Sequence, residues 1–172
     1  TVRPRSETRQ IFVGPVAVGG GAPVSVQTMT NADPHDAQAL LRQIGEAADL
    51  GCDIIRLTVP DADSAAVFRQ VRASSPLPLV ADIHFDYRLA LAALEAGADG
   101  LRINPGNIGG PERVRAVVAA ARGRRVPIRI GVNGGSLEAD ILAKHGSATA
   151  EALVESALRH VALLEAEEYR EI

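Results

Sequence analysis

Three arginines sit inside short apolar runs of this chain: Arg56 in "DIIRLTVP", Arg102 in "GLRINPG" and Arg129 in "PIRIGVN". A guanidinium is permanently charged and presents a fork of donors that matches phosphate oxygens. Enclosing such a group without a counter-charge is costly, so each arginine needs a partner from the chain or from a ligand. One carboxylate, Asp82 in "LPLVADIHF", occupies a comparable position and balances only part of three cations. The fitting complement is a ligand with two or more negative charges, and a diphosphate suits it best. Two glycine-rich stretches, "NPGNIGG" after Arg102 and "NGGS" after Arg129, offer backbone N–H groups at strand–loop–helix junctions, where anions are favoured. Asn104, Asn107, Asn133 and Ser136 add neutral donors and acceptors.

Plainer readings stand beside this one. An inward arginine can be half of a structural ion pair, and Arg56 with Asp82 would make one. Asp82 and His84 have the chemistry of a general acid–base pair, because histidine titrates near neutrality. A lone histidine at a strand end can equally be a hydrogen-bonded positioning residue. His35, His145 and His160 read as surface residues, Cys52 as a small buried filler, and the acidic end "LEAEEYRE" as a solvated helix face. Glycine-rich loops taken singly are weak signals, since turns use glycine for steric reasons.

The elements that must carry these side chains repeat. After a small hairpin, "RQIFV" and "VAV" around Gly14-Pro15, five strands alternate with five helices. The strands are "PVSVQTMT", "DIIRLTVP", "LPLVADIHF", "GLRINPG" and "PIRIGVN". Asp33-Pro34 and Gly110-Pro111 look like helix starts, and Gly51, Gly97 and Gly123 like helix ends. This rhythm argues for parallel pairing and an α/β class, either doubly wound or a (β/α)8 barrel.

Strand interiors choose between the two. Side chains alternate across a strand, so Ile54, Arg56 and Thr58 share one face, while Ile55, Leu57 and Val59 share the other. Val80, Asp82 and His84 likewise oppose Ala81 and Ile83; Arg102 and Asn104 oppose Leu101 and Ile103; Arg129 and Asn133 oppose Ile128, Ile130 and Val132. In the first strand Ser25 and Gln27 oppose Val24 and Val26. Central strands of a doubly wound sheet are apolar on both faces. These strands have one greasy face and one that turns polar toward the C-terminal end, as the inside of a barrel does. Five units are too few to close a barrel, so the expectation is a partial (β/α)8 barrel over residues 1–172 that stops before its sixth strand, with "EEYREI" as the run-up to it.

Bulk properties set the limits. The chain has 172 residues, 47% hydrophobic and 23% charged, with a net charge of −3, enough for one domain with a real core and without the basic excess that nucleic acid requires. Charges or glycines interrupt every apolar run, and the arginines of "TVRPRSETRQIFVG" precede no apolar signal segment, so the expected compartment is the cytosol. A single cysteine excludes an internal disulfide and any iron–sulfur site built from this chain's thiolates alone. No metal ligands are expected in this chain.

At "VQTMTN", "PLVADIHFDYRLAL", "LRINPGNIGG" and "PIRIGVNGGSLE" the sequence closely resembles the N-terminal part of the 4-hydroxy-3-methylbut-2-enyl diphosphate synthase family, of the methylerythritol phosphate route to isoprenoids. The resemblance implies a (β/α)8 barrel that holds 2-C-methyl-D-erythritol 2,4-cyclodiphosphate. It also implies a separate C-terminal domain with a [4Fe–4S] cluster on three cysteines and a glutamate, absent from this chain. Two electrons from ferredoxin or flavodoxin would open the cyclic diphosphate with loss of water, and a homodimer would set one subunit's cluster over the other's barrel mouth. Matched by motif, the diphosphate-binding arginines are Arg56, Arg102 and Arg129. Asp82 and Asn133 fall on substrate-contacting positions, with His84 and Asn104 beside them. Such a fragment is expected to be inactive alone. Two other functions fit the residues: a pterin-binding barrel of the dihydropteroate synthase type, and a non-catalytic module that binds phosphorylated metabolites.

Overall fold

The computed structural model describes residues 8–172; the residues before Thr8, part of the segment read above for a signal sequence, lie outside the described residues. A two-stranded antiparallel hairpin, β1 (Ile11–Val13) and β2 (Val16–Val18), comes first. Its two-residue turn begins at Gly14 with φ 56°, a left-handed conformation that matches the twist of paired strands and favours glycine. Five parallel strands follow in unbroken sequential order: β3 (Gln27–Met29), β4 (Ile54–Thr58), β5 (Leu79–Ile83), β6 (Gly100–Ile103) and β7 (Ile128–Ile130). A doubly wound sheet reverses its strand order partway. This sheet does not, so right-handed crossovers place its helices on one side, as in a barrel wall.

That side is the core. Ile55, Leu57, Leu79, Ala81, Ile83, Leu101, Ile103 and Ile128 are buried together against the helices. Leu40 and Ile44 come from α1 (Ala37–Asp49), Phe68 and Val71 from α2 (Ala62–Ser74), and Ala90 and Leu94 from α3 (Tyr87–Glu95). Val114, Val117 and Ala121 come from α5 (Pro111–Arg124), one stripe at helical spacing. The other sheet face is capped at its N-terminal end by the hairpin, where Val13 packs on Ile54 and Val80. Gly100 admits this cap: a Cβ there would lie 3.1 Å from a Val80 methyl and 3.5 Å from one of Val13. The expected partition of side chains holds in β4 to β6. At the sheet edge it fails: the strand expected from Pro23 begins only at Gln27, and Val24 and Val26, which precede it, are exposed.

Several local expectations are corrected. Helix α1 is capped by Asp36, which accepts from the N–H groups of Gln38 and Ala39, and not by Asp33. Asp33 is instead engaged by the backbone N–H and ring of His35. Helix α5 runs past Gly123 and ends where Arg125 turns left-handed at φ 56°. The "NPGNIGG" stretch holds a one-turn helix, α4 (Pro105–Ile108), and a further helix, α6 (Ala139–His145), precedes α7 (Ala150–Ala166). His160 is buried, not a surface residue. It belongs to the α7 stripe Ala152, Ser156, His160 and Leu164, four apart, and its Nε2 lies 3.1 Å from Glu138. The acidic end is only partly solvated. Tyr169 is buried, its hydroxyl donates to the Val126 carbonyl, and burial pushes its pKa up to about 12. Beyond it the Ile128 N–H donates to the Glu171 carbonyl (2.8 Å), which lays the last residues alongside β7.

Two loops at the C-terminal ends of the strands are tied by His35. Its Nδ1 lies 2.9 Å from Asp33, and its Nε2 lies 3.0 Å from Asp61, the N-cap of α2. Two carboxylates accepting from one ring require the imidazolium, in which both nitrogens carry protons. Hydrogen bonds from Asp33 first and Asp61 second hold the His35 pKa above its ordinary 6.5. Because the folded value is raised, this tie stabilises fully below the ordinary pKa and is lost as pH rises through the raised one. An NMR titration should therefore find His35 titrating above 6.5, and His35→Gln should abolish that part of the pH dependence; a pKa at or below 6.5 would show that the tie does not form.

Candidate anion site at the strand ends

Parallel register places the polar side chains in rows. Thr58, Asp82, Arg102 and Arg129 are successive partners across β4, β5, β6 and β7, and Met29, Arg56 and Val80 form the row beneath. All lie on the face away from the helices. Two neighbouring rows thus bring three cations and one carboxylate onto a single surface, which no local stretch of sequence displays.

Asp82 is the centre of this arrangement. Its side chain is 3% exposed, and both oxygens are engaged: Oδ1 accepts from Arg102 Nη1 at 3.2 Å, and Oδ2 faces Arg56 Nε at 3.4 Å. His84 Nε2 stands 3.8 Å from Oδ2, close enough for charge to be felt but too far for a hydrogen bond. One anion is shared between two guanidinium groups, so a net positive charge is left facing outward. Arg56 also turns Nε and Nη2 toward the Met29 sulfur at 3.4 and 3.2 Å, a weak acceptor that carries no charge to set against the guanidinium.

Arg129 is placed differently. It is exposed, and among the described residues it makes no ion pair or hydrogen bond. It lines a large cavity on the same sheet face, of about 550 Å3, together with Ile54, Val80, the hairpin and Ile172. The structure therefore clusters Arg56, Arg102 and His84 on Asp82 and leaves Arg129 in register beside them, its head group uncommitted.

The neutral groups form the outer wall. A pocket of about 290 Å3 is lined by His84, Phe85, Arg102, Asn104, Asn107, Asn133, Gly135 and Ser136. Asn104 is buried and donates from Nδ2 to Ser136 Oγ at 2.8 Å, joining the two glycine-rich loops. Asn133 caps a short 3-10 turn, Gly134–Ser136, by accepting from the Gly135 N–H at 3.1 Å. The Ser136 N–H donates to the Asn133 carbonyl. Two N–H groups of the "NGGS" loop expected to face an anion are thus committed within the loop. The convergence of Ser136 and Asn107 on Asn104 depends on how α4 and the 3-10 turn fold, which their residue types alone do not reveal.

Cys52, the chain's one cysteine, is buried next to the Val26 and Ile54 carbonyls, where β4 begins, at the sheet end opposite this pocket. No cluster of three or more His, Cys, Asp or Glu with metal-binding geometry occurs among the described residues. These residues do not fit a [4Fe–4S] cluster. No helix among the described residues is long and apolar enough to cross a membrane.

Comparisons with known proteins agree with the motifs. The family described as the GcpE TIM-barrel domain matches residues 8–172. The 4-hydroxy-3-methylbut-2-en-1-yl diphosphate synthase (flavodoxin) of Maridesulfovibrio salexigens is 59% identical over 161 residues, 94% of this chain and 45% of that protein. The protein of the same name from Geobacter sulfurreducens is 58% identical over 168 residues, 98% of this chain and 48% of that protein. The chain thus spans under half the length of these curated relatives. Among solved structures, dihydropteroate synthase from Xanthomonas albilineans, in complex with 7,8-dihydropteroate, aligns with a TM-score of 0.61 over 95% of this chain and 63% of that one, at 18% identity. That likeness shows the barrel fold and lends nothing to the pterin-binding alternative.

Removing the shared carboxylate should expose the repulsion it suppresses. Asp82→Asn keeps the shape but leaves two guanidinium groups facing each other, and should cost roughly 1.5–3 kcal/mol in urea denaturation. Added pyrophosphate should recover part of that loss by supplying the missing charge. Unchanged stability would show that Asp82 does not hold the pair.

Proposed function

We propose that this chain, which belongs to the GcpE TIM-barrel domain family, is the substrate-cradling barrel of a 4-hydroxy-3-methylbut-2-enyl diphosphate synthase. The ligand is 2-C-methyl-D-erythritol 2,4-cyclodiphosphate, bound through its two phosphates. The observation that carries this reading is the excess of cations over anions on one face: Arg56, Arg102 and Arg129 against the single buried Asp82.

In this reading each residue has a distinct task. Arg129, with no bond to break, takes phosphate oxygens first. Arg102 and Arg56 keep Asp82 as a rear anchor and turn their outward N–H groups to the ligand, as the fork geometry of guanidinium permits. Asp82 holds the two cations together and contacts the substrate from below. Asn104 and Asn133 set the outer wall, and His84, partly exposed at the rim, is the group placed to exchange a proton with the ligand. Residues 1–172 form the substrate-binding domain of a longer enzyme, and the reductive ring opening, with two electrons taken up and water lost, needs a redox domain outside this chain. The family resemblance gives that domain a [4Fe–4S] cluster, which the single cysteine of this chain could not hold. The names of the relatives support flavodoxin as the electron source, with ferredoxin the other one-electron carrier that suits such an enzyme. A homodimer in the cytosol completes the reading.

Calorimetric titration with the cyclodiphosphate tests it. Arg102→Ala and Arg129→Ala should each weaken binding by about 1.5–3 kcal/mol, and wild-type affinity should fall as salt rises. If both variants bind as the wild type does, the site is elsewhere. Binding without turnover, in a protein of full natural length, would instead favour the non-catalytic module.

A further inference from the structure

Gly131 lies just past β7, on the same face as Arg129, and its N–H donates to the Ile103 carbonyl at 2.8 Å, extending the ladder by one bond. Its backbone does not require glycine, since it is not among the residues with positive φ. What requires glycine is space. A Cβ built at 131 would run into the guanidinium of Arg102, and its three nearest atoms, Nε, Nη2 and Cζ, all belong to that group. Arg102 and Arg129 are register partners on adjacent strands, so side chains extended straight from the sheet would set two like charges side by side. The bare backbone at Gly131 gives the Arg102 head group somewhere else to go, toward the strand end, where Nη1 still reaches Asp82.

We propose that Gly131 is a positioning residue: lacking a side chain, it leaves open the place the Arg102 guanidinium occupies, and so separates that group from Arg129 and presents it at the pocket mouth. This rests on the reading of Arg102 as a diphosphate ligand. Because the colliding atoms are the far end of a flexible side chain, a methyl group at 131 displaces Arg102 without disturbing the strand. Glycine to alanine in extended backbone otherwise tends to stabilise by restricting the unfolded chain.

A double-mutant cycle in the protein at its full natural length tests this, with cyclodiphosphate affinity read by calorimetry and melting temperature read alongside. Gly131→Ala should weaken binding on the order of tenfold, the scale of one charge-assisted contact, and melt no lower than Arg102→Ala. In the Arg102→Ala background the same substitution should change affinity by less than about twofold, because the group it displaces is already gone. Wild-type affinity in Gly131→Ala, or an equal loss in both backgrounds, would overturn the proposal while leaving the diphosphate reading intact. Wild-type affinity in Arg102→Ala would sink that reading and the role of Gly131 with it.

Discussion

A single buried carboxylate shared by two strand-borne guanidinium groups is the constraint on which this site depends. Asp82 comes from the strand between those carrying Arg56 and Arg102, so its two oxygens face opposite neighbours. Two cations at that spacing repel, and one anion buried between them holds both in place while cancelling half their charge. The remainder is directed outward, where the strands end and the loops begin. That net positive charge is the property on which the proposed binding of a multiply charged anion rests.

The fold supplies this geometry by keeping its two sheet faces apart. Helices cover one face with a continuous aliphatic core, so the other is free to carry polar groups without weakening the domain. The hairpin covers the N-terminal end of that free face with valines, leaving the polar rows at the C-terminal end. Small residues make the close approaches possible. Gly100 lets the hairpin in at one end, and Gly131 lets Arg102 through at the other. At Gly14 a left-handed backbone is what requires glycine; at Gly131 it is the neighbour's side chain.

Much of this was legible along the chain. Alternation in "DIIRLTVP", "LPLVADIHF" and "GLRINPG" separated the aliphatic face from the polar one, because a strand's period of two is fixed by its backbone. Helix boundaries were less legible. Asp33 has the residue type of a cap, yet a nearby histidine claims its carboxylate, and Asp36 caps instead. His160 read as a surface group because α6, whose N-cap residue Glu138 meets Ser156 and His160, has too weak a pattern to be anticipated. The glycine-rich loops promised free N–H groups, and folding commits some of them to local turns.

The sequence by itself determined the class of fold, the inward face of each strand and the excess of cations on it, since periodicity and residue type are local properties. Only the tertiary structure decided register, and register decides partnership. It made Asp82 the common partner of Arg56 and Arg102, set Arg129 beside Arg102 with no partner among the described residues, and laid Arg102 over Gly131. Those relations join residues about 20 to 30 positions apart on different strands, and they come from the packing that aligns one strand against the next.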